Sequence, residues 1–210
     1  MGKLRLYGSM AKQLGRSSMQ TFDYVMTLLS FVYALAIAHI LATAGDIVIA
    51  WSRVRFSWLN AAWMLFTLLG ILAWWIGVWG GHHRTVWSIV DIAEQFGFIA
   101  IIYLEARIVC IKIPAEGPAD MQQWHATEAR KYTAVYALIA AATVAWNLSV
   151  SGSDSYGAVD AVRKTYAVGM LFALSVLSAT FSDRRVQATT AAAILATWLW
   201  YFTTLQDVLK

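Results

Sequence analysis

The chain has 210 residues, of which 60% are hydrophobic and 13% are charged. A soluble domain typically carries about 25% charged residues, so this composition leaves too little polar surface to cover a soluble globule. The formal net charge of +4 comes without a clustered basic face or a stacking motif, which argues against a nucleic-acid partner. A single cysteine, Cys110, excludes an internal disulfide.

The first 20 residues form a basic, mildly amphipathic segment, with Lys3, Arg5, Lys12 and Arg16 separated by apolar residues. We expect this tail to be retained, and to be either disordered or a short helix on the membrane surface. The apolar run that follows is too long for the core of a cleavable signal peptide.

Six apolar stretches follow the tail, and each meets the ~20 residues that a helix needs to cross a bilayer. They are predicted at residues 22–50, 56–80, 87–113, 131–150, 158–182 and 186–205. Helices are favoured because a backbone exposed to lipid must satisfy its own hydrogen bonds. Residues 21–210 are therefore predicted to form an all-α, polytopic membrane domain with six transmembrane helices, whose first partner is the lipid bilayer.

The polar segment 114–130 holds both prolines, and its second half, 119–130, is predicted to form a short surface helix. It divides the spans three and three. Residues 32–35 and 135–138 repeat the same four letters, which is a pattern expected of two halves with inverted topology. Basic residues divide eight against seven between the two sides, so they give no orientation; without the tail, four against seven favours external termini.

The third span carries three carboxylates, Asp91, Glu94 and Glu105, whose spacing predicts one shared helix face, with Arg107 on the opposite side. Ionisable groups within a span are costly unless they pair, face water or reach the membrane surface. Two interpretations remain open. The carboxylates line a hydrated path for cations or protons. Alternatively, both ends of the span lie at the interface, or Glu105 pairs with an arginine of another span.

The first span has a second polar face, formed by His39, Thr43 and Asp46 at spacings of four and three. His39 has the chemistry to shuttle protons or to ligate a metal or a haem, and the alternative is a hydrogen bond to a neighbouring helix. The other histidines lie at span ends, so no metal site and no cofactor is predicted. No catalytic motif is present, so an enzyme is not predicted.

Hydroxyl and amide side chains also line other spans, namely Tyr136, Thr143 and Asn147 on the fourth and Thr190 and Thr197 on the sixth. Such groups often form hydrogen bonds between helices in membranes. We therefore expect them to join helices rather than to line a pore.

Two resemblances involve the first span. The segment from Thr21-Phe22-Asp23-Tyr24 to Ala36-Ile37-Ala38-His39 resembles the start of a group of uncharacterised bacterial multi-span proteins, which implies membrane residence and no assigned activity. We expect the membrane to be a bacterial inner membrane. Phe22-Asp23 and His82-His83-Arg84 also resemble a six-span potassium channel family of lysosomes and bacteria. That family has Phe-Ser-Asp at its first helix, and the serine is missing here. The resemblance implies that the first span lines a pore.

The sequence thus favours an ion channel or transporter for monovalent cations or protons, acting as a homo-oligomer or within a larger membrane complex. One alternative is a non-catalytic accessory or scaffold subunit. Another is a membrane-bound haem or ligand-binding protein that uses His39. The candidate residues for an ion pathway are Glu94, Glu105, Asp91, His39 and Asp46.

Overall fold

The structure is a computed structural model that describes the backbone of residues 2–79, 87–150 and 158–205, and the side chains of residues 22–79, 87–148 and 165–203. The described residues form six α-helices, which confirms the predicted all-α fold. The helices are α1 (Gly2–Ile49), α2 (Trp58–Trp79), α3 (Ile89–Val109), α4 (Met121–Val150), α5 (Ala158–Thr180) and α6 (Arg184–Leu205).

Two helical segments are long and apolar enough to cross a bilayer by length and composition. They are Phe22–Ile49 within α1 and Trp58–Trp79, which is α2, with mean hydropathies of 2.1 and 1.9. A shorter apolar stretch, Thr165–Thr180, lies in α5. The two long segments are consistent with membrane association. In α3, four charged residues interrupt the apolar sequence, so its composition does not meet the same criterion.

Two helices, α1 and α4, each continue across a boundary that was predicted from the sequence. α1 has 48 residues and runs through residue 20 without a break, over about 72 Å. α4 has 30 residues and joins the predicted surface helix to the predicted fourth span. The helix continues through residue 130, because no glycine or proline lies within α4 to end it there.

α2 lies at the centre of the bundle and contacts α1, α3, α4 and α6. α1 also packs along α3, and α5 packs between α4 and α6. Two short strands, β1 (Val54–Arg55) and β2 (Ala119–Asp120), pair in parallel beside the start of α4. We call this end of the bundle the β end. Arg130 donates from Nε to the carbonyl oxygen of Ala179 at 3.2 Å, which places the last turn of α5 at the same end.

Polar side chains face inward and large apolar side chains face outward over much of the bundle. Asn60, Thr67 and Glu105 are at most 2% exposed, whereas Phe31 and Leu199 are 68% and 64% exposed. Extended apolar surface on a single chain indicates contact with a membrane or with another protein. Several hydrogen-bonding side chains are therefore buried in the bundle, and many large apolar side chains lie on its exterior.

Candidate functional site

The three predicted carboxylates of α3 occupy different environments. Glu105 is buried with 2% exposure, and Glu94 is exposed. Asp91 forms a capping box with Ser88, in which each side chain accepts a hydrogen bond from the other residue's backbone N–H. The first turn of α3 lies outside the packed core, since Ile89 is 84% exposed. The structure therefore does not bring the three carboxylates together, and only Glu105 reaches the interior.

Glu105 is hydrogen-bonded to a neutral residue of α2 and lies near a residue of α4. Its Oε1 accepts a hydrogen bond from Oγ1 of Thr67 in α2 at 2.8 Å. The hydroxyl of Tyr136 in α4 is close enough to interact with the carboxyl group electrostatically, and that hydroxyl accepts a bond of 2.9 Å from Nε1 of Trp198 in α6. Within the described residues no cationic side chain pairs with Glu105. The predicted arginine pairing is therefore not found there.

The inner face of α2 supplies residues that the sequence analysis missed. Asn60, Trp63 and Thr67 are spaced by three and four positions, so they lie on one face of the helix. All three are at most 1% exposed. The sequence did contain a signal for this face. A polar residue stands on each side of a tryptophan, at helical spacing, within an otherwise apolar span. It indicates a helix face that packs against polar groups rather than against lipid.

α4 continues the polar interior towards the β end. Tyr132 and Tyr136 lie one turn apart, and both rings contact Trp63, with centroids at 5.8 and 5.4 Å. The Tyr132 hydroxyl is hydrogen-bonded to Nδ1 of His125. We call the set His125, Tyr132, Tyr136, Glu105 and Thr67 the polar line.

His125 is the member of the polar line nearest to the start of α4, before the part of the helix predicted to span the membrane. It is buried with 8% exposure. Burial lowers its pKa from 6.5 to about 4, because the charged imidazolium is poorly solvated there. His125 is therefore neutral at pH 7, and its ring nitrogens can accept or relay a proton.

Some buried polar atoms have no hydrogen-bond partner among the described residues. They include Oδ1 of Asn60, Nε1 of Trp63 and Oε1 of Gln95. Buried polar atoms are usually paired, either with protein groups or with ordered water. Nδ2 of Asn60, by contrast, donates to the carbonyl oxygen of Val109 at 3.0 Å and so caps the last turn of α3.

His39 and Arg107 form a second polar cluster, on the outer side of α1 and α3. Nη1 of Arg107 lies 3.2 Å from Nδ1 and 3.4 Å from Nε2 of His39, so the guanidinium rests against the ring. Thr43 is buried and donates to the His39 carbonyl oxygen, and Asp46 is exposed. A ligand at His39 would have to displace Arg107. His39 and Glu105 belong to separate clusters.

The predicted inter-helix role of polar side chains holds for one residue and fails for others. Tyr136 joins α4 to α6 through Trp198. Thr143 and Thr197 instead donate to carbonyl oxygens one turn earlier in their own helices, at 2.8 Å each. A threonine in a helix can satisfy its hydroxyl locally in this way, which the spacing along the sequence does not reveal.

The described residues form no metal site, and they do not include the paired histidines on which the channel resemblance depends. In the part of the chain that the structure describes, no group of three or more His, Cys, Asp and Glu side chains is placed to hold a metal ion. His82, His83 and Arg84 lie outside the described residues, and both resemblances stay predictions. Comparisons of the chain with protein-family models, with curated proteins and with solved structures find no match.

Proposed function

We propose that the chain is an integral membrane protein with six transmembrane helices that conducts or transports protons or monovalent cations through its bundle, with Glu105 as the central binding group. The observation that carries this proposal is the burial of Glu105, whose side-chain hydrogen-bond partner among the described residues is the neutral Thr67. A buried carboxyl group without a cationic partner is costly in a membrane, and such groups commonly mark ion or proton pathways.

The six-span topology is supported by helix length and by the distribution of polar groups. α3, α5 and α6 have 21, 23 and 22 residues, and α4 has 30. Each is long enough for a hydrocarbon core of about 30 Å. Much of the polarity that lowers the hydropathy of α3 to α6 points inward, as in Glu105, Ser175, Gln187 and Thr190. Their outward faces carry large apolar side chains that suit lipid.

The polar line gives Glu105 a route for protons towards the β end. Glu105 takes up a proton on its carboxylate, while Thr67 holds Oε1 in place. The Tyr136 and Tyr132 hydroxyls and the His125 ring are groups that both donate and accept protons. Small movements of these side chains would connect Glu105 to the surface at the β end. Glu94, Asp91 and Asp46, which are outside this interior set, are assigned no role in this route.

The proposal is tested with purified protein in liposomes that hold a dye for the ion under test, namely H⁺, K⁺ or Na⁺. A proton gradient, a potassium gradient and a sodium gradient are imposed in separate runs, and protein-free liposomes are the control. We expect at least one gradient to collapse faster with protein than without it. If each of the three gradients decays at the same rate with protein as without it, the proposal is overturned.

A second candidate is an accessory or scaffold role within an assembly, which the outer cluster of α1 and α3 favours. Arg107 and Asp46 are exposed on the outside of the bundle. Charges on a lipid-facing surface are stabilised by pairing with another chain. Light scattering of the purified protein in detergent tests this candidate. A homo-oligomer or a stoichiometric co-purified partner supports it, and a monomer alone counts against it.

A further inference from the structure

A groove of about 560 Å³ opens at the β end, outside the polar line. Its wall includes the side chains of Arg53 and Arg55 before α2, of Ile111 just after α3, and of Pro118 and Trp124 around the start of α4. The lining therefore combines two cationic side chains with apolar ones, and it also includes Asp120. Such a combination suits a ligand that carries a negative charge next to a hydrophobic part.

The groove is held open by contacts between the two connections that form it. β1 and β2 pair with Val54 opposite Ala119 and Arg55 opposite Asp120. Nη1 of Arg53 donates to the carbonyl oxygen of Gly117 at 2.8 Å. Gly117 has a φ of 91°, a backbone conformation that glycine adopts far more readily than other residues. The segment that crosses from α3 to α4 is thus fixed against the one from α1 to α2.

The charges in the groove do not cancel. Asp120 forms a salt bridge of 3.2 Å with Arg55, and its Oδ1 also accepts from the backbone N–H groups of Gln122 and Gln123 at 2.9 Å. The Asp120 carboxylate is thereby used within the protein. Arg53 is exposed and binds only carbonyl oxygens among the described residues. Its positive charge is left uncompensated.

We propose that this groove binds the phosphate group of an anionic phospholipid, with Arg53 as the principal contact and with Trp124 and Ile111 against the adjoining glycerol and acyl chain. Arginine matches phosphate through several parallel N–H donors. A lipid is favoured over free phosphate because an apolar wall adjoins the cation, and because the groove lies at an end of the helices, where headgroups would lie. The inference rests on the proposed membrane location and does not depend on ion movement.

The test uses the full-length protein in detergent, with phosphatidylglycerol or phosphatidylcholine added at matched concentrations and bound lipid counted by native mass spectrometry. Arg53→Gln removes the proposed contact, and Thr127→Trp fills the groove without changing its charge. Arg185→Gln is the matched control, because Arg185 is an exposed arginine near the start of α6, at the same end of the bundle. Thermal unfolding of each variant verifies that it is folded.

We expect one saturable phosphatidylglycerol site that is weakened about tenfold by Arg53→Gln, the loss typical of a charge-assisted hydrogen bond. Thr127→Trp should abolish the site, and Arg185→Gln should leave it unchanged. Equal binding of phosphatidylcholine, or equal loss in Arg185→Gln, would overturn the inference. So would displacement of the lipid by glycerol phosphate at a similar concentration, which would indicate a site for a free anion.

Discussion

At the scale of single residues, Glu105 depends on one direct hydrogen bond. Thr67 donates to its Oε1 at 2.8 Å, and both side chains are buried. Thr67→Val keeps the shape of the side chain and removes the donor. We expect the free energy of unfolding to fall by about 1–3 kcal/mol, the cost of leaving a buried acceptor without its partner.

Unfolding in detergent measures this change. Thr127→Val is the control, since Thr127 is an exposed threonine that bonds only within α4 among the described residues. A loss in Thr67→Val no larger than in this control would show that the bond to Glu105 contributes little.

His125 makes stability depend on pH in a defined direction. Its pKa is about 4 in the folded chain and 6.5 in the unfolded chain, so between these values the unfolded chain binds more protons. The free energy of unfolding therefore decreases as the pH falls from about 6.5 to about 4, by at most about 1.4 kcal/mol per pH unit.

His125→Gln removes the titrating group and retains a hydrogen-bonding side chain beside Tyr132. The unfolding free energy of this variant should vary less between pH 7 and pH 5 than that of the parent chain. Identical pH profiles for the two proteins would contradict the assignment.

The sequence could identify Glu105 as an unusual residue, because charge within an apolar run is visible there. It could not separate Glu105 from Glu94, since 11 positions return a helix to nearly the same face. The difference arises from which part of α3 packs against α2 and α4. Thr67 was missed because a threonine in an apolar span is common, and only the neighbouring carboxyl group gives it a role.

At the scale of elements, α3 ends at Val109, and an extended segment follows it to β2. Asn60 caps this end from α2, and Gly117 turns the segment with a φ of 91°. A span to residue 113 was predicted because residues 110–113 are mostly apolar. The apolar composition of residues 110–113 does not indicate that α3 ends before them. The early end depends on a cap from another helix, which is a contact between residues distant in sequence.

Two glycine substitutions separate backbone strain from helix propensity. A side chain added at Gly117 or Gly97 would meet nothing within 4 Å, so packing does not enter. Gly117→Ala should lower the unfolding free energy by about 1–2 kcal/mol, because alanine is strained at positive φ. Gly97→Ala, within α3, should raise it by up to about 1 kcal/mol, because alanine favours helix.

Thermal unfolding of both variants beside the parent protein measures the two effects. Opposite signs are expected. A shift in the same direction for both would contradict the backbone assigned to Gly117.

At the scale of the whole molecule, the six membrane crossings are a prediction that can be tested directly. The helical class followed from composition and from repeated apolar runs. The sequence did not predict which helices pack against each other. The central position of α2 depends on side chains such as Trp63 that contact more than one residue of a neighbouring helix. The two-half division at 114–130 stays a prediction.

Cysteine labelling from one side of the membrane distinguishes six spans from two. In a Cys110→Ser background, Glu116→Cys and Asp183→Cys should react from one side and Asp154→Cys from the other. If only α1 and α2 crossed the bilayer, all three positions would react from the same side. Labelling with a membrane-impermeant maleimide in vesicles of known orientation gives the answer.

The central claim is that Glu105, and not the other carboxylates of α3, carries the ion. The most direct measurement is the rate of gradient collapse in liposomes for Glu105→Gln and for Glu94→Gln, which lies in the same helix but is exposed. The account predicts a rate at least about 100-fold lower for Glu105→Gln, as expected when a group that transfers protons is removed, and an unchanged rate for Glu94→Gln. Equal rates in both variants and the parent protein would contradict it.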